Sequence, residues 1–335
     1  METKTVIFEK PFKVGIISEK LGQLRENEVL VKTLVTLIST GTEMTAYTGD
    51  FPSNSEWSKY VRYPFKPGYS NIGEVVEVGD SVKGFRVGDI VASLVPHTQY
   101  YIAREDRLVK VPQGIDVREA TFHTIACGVM NSVRLSGVKL GESVVVIGAG
   151  LLGQFATLFS KLSGGFPVIT VDLSDFRLRK ALQSGANYII NPERENVFEK
   201  VLEYTEARRA DVVFEVTGNP KVIEWAIKLV REMGRFIVLS SPRGPSTIDF
   251  HDEVNRPSRI IIGTHFTSQP KVETLQNPWT RKRNAELFFK MLKHGVVKVS
   301  HLITHVFHWE EVKEAYKLLL DKRLETLGVI LDFRE

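Results

Sequence analysis

The pattern of apolar and polar positions divides the chain into three stretches. Residues 5 to 9 and 28 to 38 read as strands, the second beginning in partial alternation. From 39 to 67 apolar positions thin out. Ser39-Thr-Gly-Thr-Glu-Met-Thr45 is small and polar, and Pro52, Ser53, Asn54, Ser55 and Pro64 predict an irregular loop. Glycines at 73, 79, 84 and 88 then punctuate β-rich sequence, as in a tightly turned antiparallel unit. From about 143 to 265 the pattern changes. Short apolar runs at 144–147, 168–171, 211–216 and 235–239 alternate with helical faces at 151–162 and 221–232. That alternation predicts a doubly wound parallel sheet.

The most informative stretch is Val144-Val-Val-Ile-Gly-Ala-Gly-Leu-Leu-Gly153. It orders a buried strand, G-x-G-x-x-G, a helix, a second strand and an acid. Each part has a task in binding a dinucleotide. Gly148 allows the tight turn, Gly150 lets backbone approach a pyrophosphate, and Gly153 lets the helix sit close to its strand. The free N–H groups at Leu151 and Leu152 and the helix dipole suit the phosphates. Asp172, 19 residues after Gly153, stands where a carboxylate accepts hydrogen bonds from the adenosine ribose. It favours NAD over NADP, because it would repel a 2′-phosphate. Arg177 and Arg179 either soften that preference or flank the adenine. Thr217-Gly218 and Ser240-Ser241 end later strand segments, where ligand crevices form, and Thr264 and His265 are further cofactor candidates. Glu215 reads equally as a cofactor contact or as packing.

Composition narrows the rest. The 335 residues are 43% apolar and 25% charged with a net charge of +4, which suits two ordinary globular domains and does not suggest nucleic acid. Arg281-Lys-Arg283 reads as a solvated turn, with a phosphate or carboxylate contact as the other reading. A single cysteine, Cys127, can form neither an intrachain disulfide nor a cysteine-rich zinc site; a small buried residue in a reducing, cytoplasmic setting is expected. The N-terminus does not read as a signal peptide, and no apolar run approaches membrane-spanning length.

From Gly73 to Val91 the spacing G-x-V-x-x-V-G-x-x-V-x-x-F-x-x-G-D-x-V resembles the GroES-like domain of the medium-chain dehydrogenase/reductase superfamily. Tyr100 to Pro112, Leu140 to Gly150, Asp211 to Gly218, Gly234 to Leu239 and Leu302 to Leu320 follow that family's order, so the resemblance covers essentially the whole chain. It implies an α/β protein with a β-rich GroES-like catalytic domain at 1–124 and 267–335. A Rossmann NAD-binding domain at 125–266 is inserted into it. It also implies a homodimer or homotetramer, and a hydride transferred between nicotinamide and a secondary alcohol or ketone.

Zinc members of the superfamily hold a catalytic zinc between the two domains. Their first ligand, a cysteine just after the second long strand, falls in Ile38-Ser-Thr-Gly-Thr-Glu43, which has none; Tyr69-Ser70 stands for His-Glu, and Thr124 for the further ligand. The four-cysteine structural lobe is also missing. Zinc needs at least three protein ligands, so a zinc-independent enzyme is expected, with hydrogen-bond donors in the metal's role. Thr42 matches the family's proton-carrying hydroxyl, or satisfies a turn. Tyr69 either polarises a carbonyl or fills the vacated space. Glu43 anchors a substrate hydroxyl or serves structure. His97 and His123 are candidates for polar contacts, and His265 falls where the family passes near the nicotinamide. His251, His294, His301, His305 and His308 read as structural. The polar pocket suits a polyol, sugar or sugar acid. Two rival readings are a zinc-free quinone or enoyl reductase of the same fold and a dinucleotide-binding protein without catalysis.

Overall fold

The computed structural model describes residues 1–334, and these divide into two compact units. The first comprises Met1–Thr124 and Ala285–Glu335, the second Ile125–Asn284. The segment 267–284, assigned to the first domain on sequence, packs with the second unit instead. Nothing in its polar, proline-punctuated sequence marks that allegiance.

The first unit opens with a hairpin of β1 (Glu2–Lys10) and β2 (Lys13–Lys20). Then follow β3 (Glu28–Ile38), the short helices α1 (Thr42–Thr48) and α2 (Glu56–Tyr60), β4 (Asn71–Val78), β5 (Ile90–Ser93), β6 (Tyr100–Arg104), β7 (Val109–Lys110) and α3 (Val117–Ala120). The predicted irregular loop at 39–67 therefore contains two helices. Glu43, Met44, Thr45, Ala46 and Tyr47 of α1 are all buried, so tertiary burial overrides a weakly helical sequence. Ser55 caps α2 by accepting from Ser58 N. The helix α4 (His123–Ser136) begins at the boundary between the units.

The second unit carries β8 (Val144–Ile147), α5 (Leu151–Leu162), β9 (Val168–Val171), α6 (Asp175–Gln183), β10 (Tyr188–Ile190), α7 (Val197–Tyr204), β11 (Ala210–Glu215), α8 (Pro220–Ala226), β12 (Val230–Val238) and β13 (Ile260–Gly263). Its parallel strands lie in the order β10-β9-β8-β11-β12-β13. Order reverses at β8, which is flanked by β9 and β11, so the carboxyl end of β8 is the switch point at which such sheets open a crevice. All four residues of β8 and of β9 are buried, which is why both read as unbroken apolar runs. The helix predicted over 221–232 stops at Ala226, and β12 starts at Val230 rather than at 235. Val230 pairs with Ala210 and Arg235 with Val212, so residues 231–234 bulge out of the ladder, with Met233 at φ 57.

The chain closes with α9 (Arg281–Lys293), β14 (Ile303–His308), α10 (Val312–Asp321) and β15 (Gly328–Asp332). In the first unit β14-β15-β3-β4-β5-β7 form one sheet, with β6 also pairing β3. Phe8, Tyr47 and Tyr316 stack in its core, with Phe8 and Tyr316 edge to face at 5.0 Å. This packing brings α1, α10 and the end of β3 together, and the hydroxyl cluster described below lies beside it. Among the described residues no helix is long and apolar enough to cross a membrane.

Candidate active site and dinucleotide cradle

In the second unit the three glycines occupy the backbone geometries that the sequence pattern requires. Gly148 has φ +103, a conformation that suits glycine. A Cβ on Gly153 would lie 1.8 Å from Gly148 O, so only glycine lets α5 sit this close to the turn after β8. A Cβ on Gly150 would meet nothing nearer than Arg177 Nη1 at 3.9 Å, which leaves room there for a phosphate. Gly150 is the N-cap of α5 and makes no side-chain cap bond, so the first N–H groups of the helix, including those of Leu151 and Leu152, have no side-chain cap. Asp172, just past β9, accepts from Ala149 N at 2.6 Å and from Ser174 N at 2.8 Å. Both bonds fix the carboxylate beside the glycine turn. Gln154, fully buried, donates to Ala149 O and Arg177 O at 2.9 Å each and ties α6 to the same turn. These residues fit a dinucleotide.

Glu215 is buried at the end of β11, and both its oxygens are engaged. It accepts from Thr217 N at 2.6 Å, Gly218 N at 3.2 Å, and the hydroxyls of Thr217 and Ser240. It therefore braces two strand ends. Thr217 and Ser240, expected as cofactor contacts, give their hydroxyl protons to this carboxylate. Thr264 is buried and donates to Val238 O at 3.3 Å, while His265 is exposed and bonds Thr267 through Nδ1 at 2.8 Å.

The first unit holds the second group of candidates. Tyr69 donates to Ser39 Oγ in a short hydrogen bond, and Thr42 Oγ1 lies 3.4 Å from the same phenol. Burial pushes the Tyr69 phenol up to about 12, against the pull of the bonds to Ser39 and Thr42. It is protonated at neutral pH and acts as a hydrogen-bond donor. Thr124 Oγ1 contacts Tyr69 O at 2.9 Å and Ser70 Oγ at 3.0 Å, and Ser70 also bonds Thr121 O. His123 is buried, its ring 6.0 Å from that of Phe289 and 3.4 Å from Thr124 Oγ1.

Glu43 and His97 stand apart from these hydroxyls. Glu43 is 1% exposed and accepts from Ser39 N at 2.8 Å, from Tyr316 OH in a short bond, and pairs with His97 Nε2 at 2.9 Å. His97 is fully buried, with Nδ1 on Thr36 Oγ1 at 2.7 Å. Their atoms are taken up by these partners, so of the two readings open to each, substrate contact or structure, the contacts match the structural one. They position Ser39 from behind. Gly68 makes room for this arrangement, since a Cβ there would lie 2.7 Å from His97 N.

The former ligand positions thus hold neutral hydroxyls, and the nearby imidazole and carboxylate satisfy each other. No group of three or more His, Cys, Asp or Glu among the described residues is placed to hold a metal. This donor set does not fit a tetrahedral zinc. Sequence reasoning missed Ser39 and Tyr316, while Glu215, left open between cofactor contact and packing, braces the strand ends. Ser39 could have been picked out as a hydroxyl in the stretch that lacks the family's ligand cysteine. Tyr316 could not, because it comes from a helix 273 residues from Glu43.

The model of the alcohol dehydrogenase GroES-like domain matches residues 25–113, and that of the zinc-binding dehydrogenase matches residues 152–279. L-threonine 3-dehydrogenase of Pyrococcus horikoshii is 30% identical over 328 residues, 87% of this chain and 88% of that protein. The chain belongs to the medium-chain dehydrogenase/reductase superfamily. D-guloside 3-dehydrogenase of Escherichia coli K12 is 25% identical over 343 residues, covering 96% of this chain and 97% of that one. The crystal structure of a protein described as a short chain alcohol dehydrogenase from Escherichia coli CFT073, complexed with NADH, shares the fold. Its TM-score is 0.83 at 21% identity, over 99% of each chain.

Proposed function

We propose that this chain is an NAD(H)-dependent oxidoreductase that interconverts a secondary alcohol and a ketone on a polyhydroxylated substrate without catalytic zinc. The observation that carries the reading is the Tyr69–Ser39–Thr42 hydroxyl cluster, in which Tyr69 replaces a metal-ligand histidine and Ser39 and Thr42 belong to the stretch that lacks the ligand cysteine. The nicotinamide supplies or accepts the hydride. The chain's own residues handle the proton. In the reducing direction Tyr69, protonated at neutral pH, donates to the carbonyl oxygen as negative charge develops there. Ser39 and Thr42 hold the phenol, and the proton it gives up is replaced from solvent through these hydroxyls. In the oxidising direction the alcohol proton passes through the same hydroxyls to solvent.

Two relatives with full-length similarity are named as 3-dehydrogenases, of threonine and of a guloside, and both names denote oxidation of a secondary alcohol. Asp172 supports NAD over NADP, since its carboxylate, held by two backbone donors, would face a 2′-phosphate. A homo-oligomer remains part of the reading.

NADH oxidation measured with a panel of sugar ketones, keto-acids and enones tests it. Turnover of ketones is expected. Turnover confined to enones would replace the reading with an alkene reductase, and NADH binding with no turnover at all would leave a binding protein. Metal analysis after purification without chelator is expected to find less than stoichiometric zinc; one tightly held zinc per chain would overturn the proton-relay account.

A further inference from the structure

The carboxyl group of Glu43 is a hub on which three distant parts of the first unit converge. It takes hydrogen bonds from the backbone of Ser39 after β3, from the His97 ring before β6, and from the Tyr316 hydroxyl of α10. Glu43, His97 and Tyr316 are all buried, and among the described residues no Lys or Arg lies at ion-pair distance from Glu43. A buried carboxyl group that loses a donor bears the cost of an unsatisfied oxygen, so each of the three contacts fixes the others.

Two arms run from this hub to Tyr69. The first passes through Ser39, whose N–H is held by Glu43 Oε1 at 2.8 Å and whose Oγ accepts the short bond from the Tyr69 phenol. The second passes through His97, held by Glu43 Oε2 at 2.9 Å and by Thr36 Oγ1 at 2.7 Å. The backbone N–H of His97 donates to Pro67 O at 3.0 Å, and its ring lies against Gly68, where a Cβ would come within 2.9 Å of Cγ and Nδ1. Gly68, at φ +100, is the residue immediately before Tyr69. One arm therefore sets the partner of the phenol and the other sets the backbone that carries it. Burial pushes the Tyr69 phenol up to about 12, and the charge of Glu43 adds to that rise.

We propose that Tyr316, Glu43 and His97 are positioning residues for the proton donor: they hold Ser39 at the hydroxyl of Tyr69 and Gly68 at its backbone, so that the phenol keeps one orientation towards a substrate oxygen. The proposal rests on the reading of Tyr69 as that donor. None of the three touches the reacting atoms, and each acts through Tyr69. Tyr316 ties this arrangement to the C-terminal return of the chain, which otherwise supplies nothing to the hydroxyl cluster.

Tyr316→Phe tests it, because it keeps the ring and removes only the hydroxyl. In full-length protein carrying tyrosine isotopically labelled at Cζ, the Tyr69 resonance is identified by its loss in Tyr69→Phe. Without any substrate or cofactor, that resonance should move in Tyr316→Phe and in Glu43→Gln, as the bond between the phenol and Ser39 changes. A Tyr69 resonance that stays in place would overturn the proposal. If Tyr316→Phe melts early, Glu43→Gln, which leaves both tyrosines whole, decides by the same measurement. In ketone reduction, Tyr316→Phe should lower kcat by about tenfold or more with NADH affinity unchanged. In the Tyr69→Phe background the same change should cost nothing further, since the group it positions is gone. Losses that multiply in the double variant would overturn the proposal, because Tyr316 would then act independently of the phenol. A displaced Tyr69 resonance with no turnover of any ketone would overturn the activity reading and leave the positioning of the phenol standing.

Discussion

Tyr69 shows how one substitution changes what a site can do. A phenol where zinc members carry a metal ligand brings a donor whose proton is hard to remove, because burial raises it to about 12 from 10. Tyr69→Phe keeps the ring and removes only the donor. Turnover is expected to fall by at least about tenfold, roughly 1.4 kcal/mol of transition-state stabilisation, with NADH affinity unchanged. An unchanged kcat in steady-state assays would remove the phenol from the mechanism. The same residue carries a pH signature. The folded chain holds this proton more tightly than the unfolded one does. Its contribution to stability is therefore complete below pH 10 and lost as pH rises through about 12. Melting curves across that window should fall less steeply for Tyr69→Phe than for wild type. Glu43 teaches the complementary lesson. Its residue type suggested an anchor for substrate, but its oxygens are committed to Ser39, His97 and Tyr316. Burial and partners, not residue type, decide whether a carboxylate is available.

Among elements, the ones built from continuous local patterns were legible. Helix α5 spans Leu151–Leu162 as its periodicity predicts, and β8 and β9 fall on their apolar runs. The hairpin strand β2 and the helix α1 were not legible, because β2 alternates only weakly and α1 depends on burial of five consecutive residues. The return of the chain to the first unit depends on an equally non-local tie. Asp332 at the end of β15 accepts from Arg118 of α3 at 2.9 Å and from Arg334 at 2.6 Å. Burial alone would raise this carboxyl, yet the two arginines hold it at about 2, below its ordinary 3.8. Its stabilisation is present above pH 3.8 and lost as pH falls through about 2. Asp332→Asn should therefore lower unfolding free energy by about 2 kcal/mol at neutral pH, with the difference vanishing towards pH 2. Denaturant unfolding of both forms at pH 7 and pH 2 checks it; a pH-independent difference would mean that packing, not charge, explains the loss.

For the whole molecule the prediction concerns assembly. The last strand of the parallel sheet, β13, has no neighbour on its outer side among the described residues, and it shows Ile260 at 51% exposure and Ile261 at 36%. A bare edge with apolar side chains is a template for pairing with another copy. Ile260→Lys should shift the mass measured by light scattering towards the protomer while leaving the melting of the chain near that of wild type. A mass that does not change would place the interface elsewhere.

The dinucleotide cradle was legible in the sequence because every part of it is local: a strand, three glycines, a helix start and an acid within 30 residues, each required by backbone geometry. The loss of the zinc ligands was legible too, since it is a matter of which atoms the side chains carry. What faces the chemistry was decided only by tertiary structure. Packing brought Tyr69 to Ser39 across 30 residues and Tyr316 to Glu43 across 273, and it enclosed His97 completely. Hydrogen-bond partners and burial arise from such long-range contacts, and they determine which of the chain's polar groups are spent on the fold and which remain to act on a substrate.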